Sequence, residues 1–290
     1  MAEGRADETS SAFYDALDGS YCTYSAYGET GDCTTADCRD PSYPDPYAYT
    51  GALQCGVYKP TNVISISYGG YEALLPASYL KRQCSEIMKL GLQGTSVVIS
   101  SGDNGVGPGG CLGEHGQIFA PGTDAVCPYV LAVGSTEFDD PTTPGSSQLS
   151  EVATGRFASG GGFSNYFATP AYQLQAVQAY LANVDFGFPG YTNATFQNAK
   201  GNYSEITSGY FNLNGRGYPD VSAIGDRFVL YYGGQLTEVG GTSLSAPVWA
   251  AVLTLINEER LAVGKGTVGF VNPTLVTRVS LWHFLLASIG

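Results

Sequence analysis

The sequence predicts an α/β fold whose mostly parallel sheet is covered by helices on both faces. Two segments, Asn62–Ser67 (NVISIS) and Ser96–Ser101 (SVVISS), are short apolar runs of the kind that strands buried on both faces require. Between them Pro76–Leu90 carries apolar residues at helical spacing, so the three segments form one right-handed βαβ unit. Tyr129–Ser135 (YVLAVGS) is a third apolar run of the same type. With 290 residues, 43% of them hydrophobic, and no interdomain linker, the chain can bury one large core.

The remaining elements follow in chain order. Residues 1–60 are rich in Tyr, Cys, Pro, Gly and Asp and read as a loop-rich N-terminal part, neither a repeat nor a disordered tail. Pro170–Ala182 has helical periodicity, and Phe228–Val239 reads as a hairpin turning at Gly233-Gly234. Ser245–Ala262 is expected to be a long buried helix, with Pro247 in its first turn. Phe163, Tyr166 and Phe167 read as core, and Arg216 and Asp220 of the GRGYPDV segment as holding the loop before the hairpin.

Charge and cysteines narrow the function classes. A net charge of −13, from 13 basic and 26 acidic residues, excludes nucleic acid as a partner, because phosphates would be repelled. So few charged pairs suit an acidic medium, and no run is long enough to span a membrane. The seven cysteines, Cys22 to Cys127, match no zinc spacing and suggest disulfides in an oxidising compartment, with an odd thiol left over. The sequons at Asn193 and Asn202 agree with secretion, whereas the first residues, MAEGRADE, lack the features of a signal peptide. A monomer is expected.

Two separated stretches carry the chemistry. Gly240-Gly241-Thr242-Ser243-Leu244-Ser245-Ala246-Pro247 places a serine at the start of a helix, between small residues that let a substrate backbone approach. Val97–Gly105 (VVISSGDNG) ends an apolar strand in a Gly/Asp loop and sets Asp103 at its carboxyl end. The bland alternatives are an N-cap serine and an Asx turn. Ser67-Tyr68-Gly69 continues a strand and could pair with an extended peptide, with Gly160 and Gly161 as the opposite wall; close-packed turns explain both equally well.

Together the GTSLSAP and SGDNG stretches resemble the nucleophile and oxyanion motifs of the sedolisin family, the serine-carboxyl peptidases. The resemblance extends to NVISISYG, CPYV, SGGGFSNYF and GRGYPDV, spans Ala12 to Leu275, and is similar to secreted fungal tripeptidyl-peptidases. It implies a subtilisin-like three-layer fold and hydrolysis of peptide or protein substrates at acidic pH. In that role Ser243 is the nucleophile and Asp103 donates to the oxyanion.

The same resemblance marks what is expected to be missing. The family's base is a glutamate followed four residues later by an aspartate on one helix face, upstream of the segment resembling FYDALDGSYC; Glu3 and Asp7 have the spacing without the surrounding motif. The family's calcium loop should follow Leu275, but 276–290 is a divergent tail, so neither metal nor other cofactor is expected, and 1–275 reads as a partial peptidase domain. Two other readings stay open. One is a non-catalytic peptidase-like binding protein or inactive fragment; the other is a histidine-based enzyme, which would need His115 beside Ser243.

Overall fold

The computed structural model describes residues 13–14, 16–17, 56–75, 77–107, 111–113, 115–139, 150–192, 203, 206 and 208–278. Strand β1 (Val63–Ile66), helix α1 (Ala77–Leu92) and strand β2 (Ser96–Ser100) form the expected βαβ unit, with β1 and β2 parallel and Ile64 opposite Val97. Strand β3 (Leu131–Phe138) adds in parallel to β2. Strand β7 (Val221–Ile224) pairs parallel with β3 on the edge opposite β2, and β4 (Glu151–Ala153) pairs antiparallel with the end of β3 on the other edge, so that Thr136 lies between Ala153 and Ile224. Strands β5 (Gly162–Ala168) and β6 (Gly215–Tyr218) pair antiparallel in a second small sheet. The predicted hairpin is β8 (Phe228–Tyr232) with β9 (Gln235–Val239), turning through Gly233 and Gly234 at φ 58° and 80°. Helices α2 (Leu174–Asn183), α3 (Thr242–Ala262) and α4 (Asn272–Arg278) complete the described elements.

The parallel sheet has a core on each face, because successive side chains of a strand point to opposite sides. Ile64, Val97, Ile99 and Ala132 pack with Cys84, Ile87 and Leu90 of α1 and with Tyr14. Val98, Leu131, Val133 and Val221 pack with Ala246, Ala250 and Leu253 of α3, whose small residues let the helix lie close to the strands. A disulfide between Cys84 and Cys127 ties α1 to the segment leading into β3, while Cys111 carries a free thiol.

Two expectations for α3 need correction. The helix begins at Thr242, so Ser243 lies within its first turn and Pro247 within its second. It is also not buried all round: the inward stripe is Thr242, Ser245, Ala246, Ala250, Leu253 and Asn257, whereas Leu255 is 62% and Val252 40% exposed. The apolar run Val248–Ile256 suggests burial, but one sheet covers only one face. Among the described residues no layer lies over the other.

Phe163 and Tyr166 are buried and Phe167 packs against both neighbouring clusters, as expected. Arg216 and Asp220 form a buried ion pair at 2.6 Å, and Asp220 Oδ2 also accepts the Ala132 N–H at 2.8 Å. This pair fixes β6 and the approach to β7 on β3. Among the described residues no helix is long and apolar enough to cross a membrane. Glu3, Asp7, Asn193, Asn202, His283 and all of 279–290 lie outside the described residues.

Candidate active site

Ser243 and Asp103 meet because β2 and α3 meet. The chain leaves β2 at Ser100, and the loop that follows lies against the N-terminus of α3. There the Thr242 N–H donates to Asp103 Oδ1 at 2.7 Å and the Thr242 hydroxyl donates to the same oxygen at 2.8 Å. That hydroxyl also accepts the Gly102 N–H at 3.0 Å. Thr242 thus uses every polar atom it offers on this side to hold the Asp103 loop. One carboxyl oxygen is occupied, and Oδ2 lies toward Gly241.

Gly241 is required at that point. Its φ is 147°, and a Cβ there would stand 3.1 Å from Asp103 Oδ2. The exposed Ser243 side chain follows immediately, at the helix end where unpaired N–H groups favour developing negative charge. Asp103 is half-buried, so its carboxyl is held by protein yet open to a ligand.

Ser67 is brought to the same place. Its hydroxyl donates to the Ser243 carbonyl at 2.9 Å, across 176 residues of sequence. The reason lies in Pro247, which has no N–H for the carbonyl four residues earlier, and that carbonyl belongs to Ser243. Ser67 supplies the missing donor. Its side chain therefore steadies the Ser243 backbone, while Tyr68, 49% exposed, and Gly69 continue beyond the end of β1.

The opposite segment is built differently. Gly160 and Gly161 are buried, and their N–H groups donate to the Gly102 and Gly105 carbonyls at 2.6 and 3.3 Å. A Cβ on Gly160 would come within 2.1 Å of the Ser101 carbonyl oxygen. These glycines support the Asp103 loop from behind, leaving only their carbonyl side to face a ligand.

His115 is exposed on the loop closed by the Leu112–Ile118 bridge, and no hydrogen bond joins it to Ser243. Among the described residues no carboxylate hydrogen-bonds Ser243 either. Sequence reasoning missed Glu72, which follows Gly69-Gly70-Tyr71 and is fully buried. The available signal was its isolation: it is the only charged residue between Lys59 and Lys81. Burial pushes its carboxyl up to about 8, against the pull of the Asn165 and Tyr166 N–H groups and the Ser164 hydroxyl.

The Subtilase family matches residues 47–271. Tripeptidyl-peptidase sed1 of Aspergillus fumigatus is 49% identical over 283 residues, covering 93% of this chain and 41% of that protein. Aorsin of Aspergillus oryzae is 47% identical over 280 residues, covering 93% and 41% respectively. Tripeptidyl-peptidase 1 of Macaca fascicularis is 37% identical over 215 residues, covering 74% and 34%. The chain thus spans about two-fifths of the length of the first two relatives. Among solved structures, Pseudomonas sedolisin, a serine-carboxyl proteinase complexed with pseudo-iodotyrostatin, shares the fold. Its TM-score is 0.50 at 23% identity, over 77% of this chain and 55% of that one. The matched span takes in both the Asp103 loop and the start of α3, and the chain belongs to the Subtilase family.

Proposed function

We propose that this chain carries the nucleophile and oxyanion parts of a serine-type peptidase site that cleaves peptide bonds under acidic conditions. The observation that carries the reading is the Thr242 clasp, which fixes Asp103 Oδ1 and leaves Oδ2 on the Gly241 side, next to Ser243. Ser243 Oγ attacks the scissile carbonyl while a carboxylate base takes its proton. The carbonyl oxygen becomes the oxyanion, and Asp103 supports it alongside the N-terminal amides of α3. Collapse of the intermediate expels the amine, which receives the proton from the base, and water then releases the acyl group from Ser243.

The substrate is an extended peptide running between the Ser67-Tyr68-Gly69 edge and the Gly160–Gly162 segment. Tripeptide release is the specificity that the names of the relatives support. Secretion is supported by the Cys84–Cys127 disulfide together with the sequons. A second reading, peptide binding without turnover, is favoured by one observation: no histidine or carboxylate among the described residues hydrogen-bonds Ser243.

Hydrolysis of tripeptide reporters near pH 4 tests both. Turnover is expected to vanish in Ser243→Ala and to fall by roughly 10²–10³ in Asp103→Asn, the usual cost of an oxyanion donor. Folded chain that binds the reporters without cleaving them establishes the second reading. Turnover that survives in Ser243→Ala removes Ser243 as the nucleophile.

A further inference from the structure

We propose that Glu72 is the positioning residue of the cleft, its buried side chain tying the Ser67–Gly70 edge to the Gly160–Phe167 segment. The proposal rests on the reading of these two segments as substrate walls.

Glu72 opens a short 3₁₀ turn, Glu72–Leu74, directly after the first wall. Its own N–H donates to the Pro121 carbonyl at 2.8 Å. Just before it, Gly70 exchanges hydrogen bonds with Thr123, at 3.2 Å to the threonine hydroxyl and 3.1 Å from the threonine N–H. The carboxyl then reaches across to β5. Oε2 accepts the Ser164 hydroxyl at 2.8 Å and Oε1 accepts the Asn165 N–H at 2.5 Å. Ser164 Oγ in turn accepts the N–H groups of Tyr166 and Phe167 at 3.0 and 2.9 Å. One side chain thus organises the start of β5, which issues directly from Gly160 and Gly161. Gly122, bonded to the Tyr218 hydroxyl at 2.9 Å, joins the same frame to β6.

The tie depends on protonation. The titratable groups facing Glu72 are the phenols of Tyr166 on β5, Tyr191 and Tyr203 on the segments covering it, and Tyr218 on β6. Burial raises all four, Tyr166 to about 12, so they stay neutral while Glu72 titrates. Among the described residues no cation faces Glu72 to compensate a buried carboxylate. The walls should therefore hold together in acid and loosen as pH rises through about 8.

The test compares the Ser243→Ala protein, in which nothing is turned over, with the same protein carrying Glu72→Gln or Glu72→Ala. Amide exchange of segments 67–75 and 160–168 is followed by mass spectrometry at pH 5 and 9, the ratio between variants cancelling intrinsic chemistry. At pH 5 the parent and the glutamine variant should match. At pH 9 the parent should exchange at least tenfold faster in both segments, while glutamine, which cannot ionise, stays protected; alanine should be loose at both pH values. Equal exchange of parent and glutamine variant at pH 9 overturns the proposal, whether or not the alanine variant folds. Binding of a fluorescein-labelled uncharged hexapeptide separates the underlying reading. Affinity should fall about tenfold from pH 5 to 9 in the parent only. Segments that loosen without loss of affinity show that Glu72 joins them but that they are not the walls of a peptide cleft.

Discussion

A proline inside the helix that carries Ser243 costs a backbone hydrogen bond, and Ser67 replaces it at the Ser243 carbonyl. The two residues should therefore be coupled energetically. Ser67→Ala alone removes the one side-chain donor to the Ser243 carbonyl among the described residues and should cost about 0.5–1 kcal/mol, the usual net worth of a partly solvated hydrogen bond. Pro247→Ala restores an N–H four residues after Ser243, so in that background the serine should be nearly dispensable. A double-mutant cycle by urea denaturation is expected to give a coupling of about 0.5–1 kcal/mol. Strict additivity would falsify the exchange of donors. At this scale the sequence offers Ser243, Asp103 and Ser67 as candidates, and the structure brings all three to one helix end. What their atoms contact is not legible in the sequence, because nothing in it assigns Ser67 to a carbonyl 176 residues away.

Helix α3 shows how apolar composition and burial come apart. Its middle turns read PVWAAVLTLI, yet the sheet covers only the stripe from Thr242 through Leu253 to Asn257. Leu253 is 1% exposed and Leu255, two residues on, is 62% exposed. Leu253→Ala should cost about 2–5 kcal/mol, as deletions from a packed core do. Leu255→Glu should fall within about 0.5 kcal/mol of the parent, as surface changes do. Chemical denaturation of the two variants checks the face assignment, and a large loss from Leu255→Glu would mean that another segment covers this side. The same logic explains which elements the sequence announced. Strands β1, β2 and β3 are apolar on both faces and bounded by turns, and Gly233-Gly234 sets the hairpin. The pairing of β5 with β6 carries no such period: Phe163, Tyr166 and Phe167 do not alternate along β5, Gly215 and Gly217 leave β6 short of side chains, and tertiary contacts decide it. The start of α3 was misplaced because its N-cap, Gly241, has no side chain to signal a cap.

At the scale of the whole molecule, two independent effects favour acid. The net charge of −13 makes the folded state repel itself once its surface carboxylates are ionised. Glu72 adds a buried contribution of different character. The folded protein holds its proton more tightly than the unfolded chain, so the stabilisation is complete below about 4.5 and is lost as pH rises through about 8. At about 1.36 kcal/mol per pH unit that interval is worth at most roughly 5 kcal/mol, comparable to the entire stability of many domains, and relaxation around the site will reduce it. Salt distinguishes the two. Exposed charges are screened over about 10 Å at 0.1 M ionic strength, whereas a fully buried carboxyl is beyond the reach of that screening. Unfolding free energies measured at pH 5, 7 and 9, in low and high salt, should fall with pH in both. High salt should recover only part of the loss, and Glu72→Gln should recover most of the rest. Were high salt alone to flatten the profile, surface repulsion would account for all of it and Glu72 would hold no excess proton in the folded state. A profile flattened only by Glu72→Gln would instead place the acid preference of the fold in one side chain beside the cleft.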